Sequence, residues 1–144
     1  MKKIIIAILA TGFAWTVNAQ DTRSAGSDGN KAEFKFEQME FNYGTIKQGD
    51  KVDYEFVFTN IGKEPLIISS ANGSCGCTVP EWPKEPIKKG EKGKIKVTFN
   101  SAGKQGMQDK TVTINSNAST NPVVLHIKGN VEVPPAPSEG LKTN

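Results

Sequence analysis

Cys75 and Cys77 are the only two cysteines in a chain of 144 residues, and with Gly76 alone between them they offer thiol or soft-metal chemistry. In an extended backbone residues i and i+2 share a face, which would set both sulfurs on one side at a Cα separation of roughly 6.5 Å. Three readings of the pair follow. A disulfide between them closes a three-residue loop and contributes only about 1.6 kcal/mol by the loop-entropy relation, against about 3 kcal/mol for a 15-residue loop, less any strain. Such a bond is a poor staple but is easily reduced and re-formed, which suits thiol exchange with a partner in an oxidising compartment. Two thiolates on one face could instead hold a soft ion such as copper(I), with Met107 and His126 to complete the shell. A structural zinc site wants four ligands, usually from two separated pairs, and the chain has one pair and a single His. The third reading is structural: packed or disulfide-linked cysteines at a strand end, with Gly76 marking a bulge.

Other catalytic chemistry is poorly provided for. His126 alternates with Leu125 and Ile127 and should point away from the face that they bury. As the only His it would have to serve any nucleophilic arrangement, and no Gly-x-Ser-x-Gly elbow accompanies it. Asp53 and Glu55 lie on the polar side of an alternating run, where carboxylates usually form a solvated face. Gly103-Lys104-Gln105-Gly106 lacks the Gly-Lys-Ser/Thr ending of a phosphate loop and reads as a turn. The expectation is a protein that is not an enzyme, thiol–disulfide exchange being the one open activity, and that needs no cofactor unless the pair takes copper.

Directly after the cysteines, Glu81-Trp82-Pro83-Lys84-Glu85-Pro86 sets a Trp between prolines in a stiffened stretch. Trp is enriched at binding hot spots, so Cys75, Cys77 and Trp82 together make a candidate contact loop from Gly73 to Pro86. The competing reading has Trp82 folded back over an open end of the fold as a lid. Lys84, Lys88, Lys89, Lys92, Lys94 and Lys96 follow, but Glu81, Glu85 and Glu91 interleave with them. That mixture describes a solvated surface. The formal charge of +3 falls to +1 without Lys2 and Lys3, and Arg23 is the only Arg, so no footprint for nucleic acid is present.

The elements that must position these residues are strands. Lys51 to Thr59 places Val52, Tyr54, Phe56 and Phe58 on one face, and the same period of two recurs in Lys94 to Phe99, Thr111 to Asn115 and Val123 to Val133. Phe34 to Phe36, Met39 to Tyr43 and Leu66 to Ser70 are shorter candidates, giving about seven strands with turn chemistry between them. The spacing predicts an all-β, immunoglobulin-like antiparallel sandwich. The antibody hallmarks are missing: no widely separated Cys pair could bridge the sheets, and Trp82 is not in a core strand.

At the N-terminus, Lys2 and Lys3 precede the apolar run Ile4 to Trp15, and Val17-Asn18-Ala19 ends it with a small residue. That is the pattern of a signal peptide over 1–19, cleaved between Ala19 and Gln20, and the run is too short to span a membrane. Residues 20–32 hold no large apolar side chain and read as a flexible leader, while Pro134-Pro135-Ala136-Pro137 opens a disordered tail over 134–144. The domain is then 33–133, exported to the periplasm or beyond the cell.

The run Phe58-Thr59-Asn60-Ile61-Gly62-Lys63-Glu64-Pro65-Leu66-Ile67-Ile68, the block Ser74-Cys75-Gly76-Cys77-Thr78, and the stretches Ile87 to Glu91, Ile95 to Asn100, Val112 to Asn117 and Leu125 to Gly129 resemble the bacterial family known as domain of unknown function 1573. The resemblance covers Phe41 to Val131, and Lys89 departs from it where the family often has Pro before Gly-Glu. It implies an exported immunoglobulin-like sandwich akin to Hydin-type and major-sperm-protein-type modules, with no established activity. The expectation is a binding or structural module of the cell envelope whose partner is a protein or an envelope polymer, with periplasmic redox or copper handling as the alternative.

Overall fold

The computed structural model describes residues 30–136. Alternation of apolar and polar side chains produces eight strands in chain order: β1 (Phe34–Phe36), β2 (Glu40–Lys47), β3 (Lys51–Asn60), β4 (Ile68–Gly73), β5 (Thr78–Glu81), β6 (Lys92–Asn100), β7 (Gly106–Ser116) and β8 (Val123–Glu132). They form two four-stranded sheets of order β1-β3-β6-β5 and β2-β8-β7-β4. Among the described residues there is no helix, so none long and apolar enough to cross a membrane.

The inner faces are the ones that the period of two selects. Phe56 pairs with Ile95, Tyr54 with Val97 and Val52 with Phe99 across β3 and β6, while Leu125 pairs with Val112 and Val123 with Ile114 across β7 and β8. Phe56, Phe58, Ile95, Phe99, Ile114 and Leu125 are all but sealed from solvent.

Three expectations need correction. The sandwich is not wholly antiparallel: β2 runs parallel to β8, Phe41 beside Ile127, because the chain crosses from β1 in one sheet to β2 in the other without reversing direction. The extra strand is β5, four residues that include Pro80; proline cannot donate to a ladder and is tolerated here because β5 is an edge. The flexible leader ends sooner than 32, since Ala32 is fully buried, bridges to Ala118, and accepts a hydrogen bond from the Ser119 amide at 3.0 Å. Residues 1–29, with the signal peptide and the Ala19/Gln20 cleavage point, and residues 137–144 of the tail lie outside the described residues.

Two buried polar side chains tie the loops at opposite ends of β3. Beyond its C-terminal end sits Asn60, and beside its N-terminal end sits Ser101, both with no exposed surface. The Ser101 hydroxyl lies 2.9 Å from the Gly49 amide that donates to it, and 2.7 Å from the Asp50 carbonyl that accepts from it. Gly49 itself has a φ of 98°, which L side chains rarely adopt, so the hydroxyl holds a turn that only glycine closes comfortably. Ser101→Ala should therefore lower stability by about 2 kcal/mol, the cost of leaving such buried groups unpaired. A urea-denaturation shift near zero would show that the turn holds without the hydroxyl.

Candidate functional site

The chain leaves one sheet at Gly73 and enters the other at Thr78, and the cysteines occupy the crossover. It is a turn, not the extended segment that spacing suggested: the Thr78 amide donates to the Cys75 carbonyl at 3.1 Å, and the Cα atoms of the cysteines are 5.2 Å apart. That separation lies within disulfide range, and Cys75 and Cys77 are joined by one. The turn is pinned on both flanks, where the Ser74 amide donates to the Thr111 carbonyl at 2.8 Å and the Asn100 amide to the Cys77 carbonyl at 2.8 Å. Both cysteines are half-buried, and Cys77 packs against the core cluster of Phe99, Ile127 and Val131.

Thr78 is the residue that sequence reasoning missed. Only 2% exposed, it directs its hydroxyl at both sulfurs, 3.7 Å from Cys75 Sγ and 3.8 Å from Cys77 Sγ. The signal was its place directly after the Cys-Gly-Cys block, but its orientation depends on β5 pairing Thr78 with Phe99.

Trp82 does not share a tip with the cysteines. All of β5 separates it from Cys77, a path of roughly 16 Å at the rise of an extended chain, so Gly73 to Pro86 is a turn, a strand and a Pro-rich connection rather than one loop. The indole is half-buried, packs against the larger core cluster, and carries Lys84 Nζ 3.1 Å from its ring centroid. Its Nε1 is buried without a hydrogen-bond partner. Beside it, Glu55, Glu81, Pro83, Lys94 and Lys96 line a shallow depression on the outer face. Lys94 pairs with Glu55 at 2.8 Å, and Lys96 lies in register with Glu55 on one side and Glu81 on the other. The surface is thus a rigid aromatic edge with a rim of alternating charge.

His126 points outward from β8, as its alternation implies, with Nδ1 2.9 Å from Asp109 Oδ1. Beside it Lys128 reaches Glu40 at 3.0 Å, and that hydrogen bond raises the pKa of the ammonium above its usual value. Met107, 78% exposed, stands opposite Asn130 on the same outer face. The copper site expected from Cys75, Cys77, Met107 and His126 is not assembled: the sulfurs are bonded to each other, and His126 is engaged by Asp109. Among the described residues no group of three or more His, Cys, Asp or Glu could hold a metal ion.

A family model described as "Protein of unknown function (DUF1573)" matches residues 34–131. No curated protein matches the sequence. Among solved structures, a protein of unknown function from Porphyromonas gingivalis W83 is similar with a TM-score of 0.62 at 14% identity, over 76% of this chain and 51% of that one. The ASH/PapD-like domain of human CEP192 gives a TM-score of 0.55 at 8% identity, over 92% and 99% of the two chains. The VesB protease of Vibrio cholerae gives 0.52 at 16% identity, over 74% of this chain and 33% of the protease. The likeness is one of fold, and the chain spans about half the length of the first of these structures and a third of the protease.

Proposed function

The chain belongs to the DUF1573 family of proteins of unknown function, and on that premise we propose that it is an exported, non-enzymatic binding module of the cell envelope whose contact surface is the β5 margin. An immunoglobulin-like, PapD-like sandwich is a rigid frame that presents edges and loops to partners. The observation that carries the reading is Trp82: packed on one side against the core, flanked by Pro83, and rimmed by Glu55, Glu81, Lys94 and Lys96. A Trp held in place loses little side-chain entropy on binding, and the charged rim supplies directional contacts. The basic and apolar segments of residues 1–19 support export. The partner is a protein or an envelope polymer.

The test separates contact from packing. Trp82→Ala removes core packing as well as the contact edge, so it is paired with the charge reversals Glu81→Lys and Lys96→Glu, which leave Trp82 in place. Each reversal should weaken capture of cross-linked envelope material roughly tenfold while the thermal midpoint stays within a few degrees, as for a rim that contributes about 1–2 kcal/mol to binding. Capture that survives both reversals, with only Trp82→Ala losing stability, assigns Trp82 to the core alone and overturns the reading.

A further inference from the structure

The disulfide holds up little of the structure around it. The turn it spans is closed by the Thr78 amide and pinned by the Ser74 and Asn100 amides, so the backbone keeps its course through hydrogen bonds that need no sulfur. A closed loop with one intervening residue also removes little freedom from the unfolded chain. At the apex Gly76 is exposed, with nothing within 4 Å of where its Cβ would stand, so a partner can approach the sulfurs from solvent.

We infer that Cys75–Cys77 is an exchange-competent redox pair, opened at Cys75 by the thiolate of a dithiol protein, with Thr78 receiving the sulfur that departs. The two cysteines are not equivalent. Cys77 backs onto Phe99, Ile127 and Val131, so the in-line path to its sulfur is closed by the core, whereas Cys75 has no such backing. The partner thiolate attacks Cys75 Sγ; the Cys75–Cys77 bond breaks and its electron pair leaves on Cys77 Sγ as a thiolate. The Thr78 hydroxyl, 3.8 Å away, donates a hydrogen bond to that thiolate as it forms. The partner's second thiolate then attacks its own sulfur in the mixed disulfide and releases Cys75 as a thiolate, which takes a proton from water. The pair gains two electrons, and the partner's dithiol becomes a disulfide. The same steps reversed reoxidise the pair. This inference is independent of the Trp82 surface and goes beyond it.

The experiment uses the mature chain equilibrated in mixtures of reduced and oxidised dithiothreitol, with alkylation and intact mass counting the thiols and far-UV circular dichroism following the fold. The expected result is full, reversible reduction by millimolar dithiothreitol in the folded protein. In the single variants, the lone thiol of Cys77→Ser should react with oxidised glutathione roughly tenfold faster than that of Cys75→Ser, reflecting access to the sulfur. Thr78→Val should slow reduction by dithiothreitol roughly fivefold, the worth of one hydrogen bond, and Thr78→Ser should restore the rate. A pair that resists reduction until the protein is denatured, or one whose reduction unfolds the chain, overturns the inference. Equal reactivity of the two lone thiols overturns the assignment of Cys75 as the attacked sulfur.

Discussion

Asn60→Ala should destabilise the domain by about 4 kcal/mol, a large share of the 5–15 kcal/mol that holds a typical domain folded. The reason is how many loops one carboxamide ties. Its Nδ2 donates to the Glu64 carbonyl at 2.8 Å and the Ile87 carbonyl at 2.9 Å, while its Oδ1 accepts from the Gly62 amide at 3.0 Å and the Glu33 amide at 3.3 Å. Its own backbone closes on the β6 approach, the amide donating to Glu91 and the carbonyl accepting from Gly90. The side chain therefore links the lead into β1, the turn after β3 and the connection before β6, at a site with no solvent to replace it. Alanine leaves two carbonyls and two amides to find other partners, and each that fails costs about 1–3 kcal/mol. Chemical denaturation of the two proteins measures it. A loss under 1 kcal/mol would mean that the loops are held by their backbones and that the carboxamide is incidental.

Gly73→Ala should be nearly as damaging, at about 3 kcal/mol, and the damage should centre on the cysteine turn. A Cβ at Gly73 would stand 1.9 Å from the Thr78 carbonyl oxygen and 2.9 Å from its carbon, closer than real side chains approach backbone. Neither atom is the tip of a flexible group. Relief requires β4 and β5 to separate where they flank Cys75 and Cys77, which would also carry the Thr78 hydroxyl away from the sulfurs. Gly76→Ala is the control, because its Cβ position is open and its effect should be under 0.5 kcal/mol. Denaturation midpoints for the two variants decide the matter. If Gly73→Ala is as mild as Gly76→Ala, the close approach of β4 to β5 is not a constraint on the turn.

The two glycines sit three residues apart and look alike in sequence, which illustrates where reading the chain stops. Period-two alternation was enough for most strands, because a half-buried strand must put apolar groups on one face, and Val52 to Phe58 does so without ambiguity. It was also enough to turn His126 outward. Alternation carries no information about which strand lies beside which, or in which direction, so the parallel pairing of β2 with β8 was invisible. A four-residue edge with Pro80 falls below the pattern altogether, and with β5 unseen the cysteines and Trp82 seemed to share one loop.

The chain by itself determined that Cys75 and Cys77 could bond, because one intervening residue keeps the sulfurs within reach in almost any local conformation. It determined the sandwich, because alternating strands of this length have only each other against which to bury their apolar faces. Only the tertiary structure decided that Cys77 is backed by Phe99, Ile127 and Val131 while Cys75 is not, that Thr78 faces both sulfurs, and that Lys96 lies between Glu55 and Glu81. Each of these joins residues from different strands, and the distance between them is set by sheet register and by the crossover from one sheet to the other, which are properties of the packed sandwich and not of any segment of the sequence.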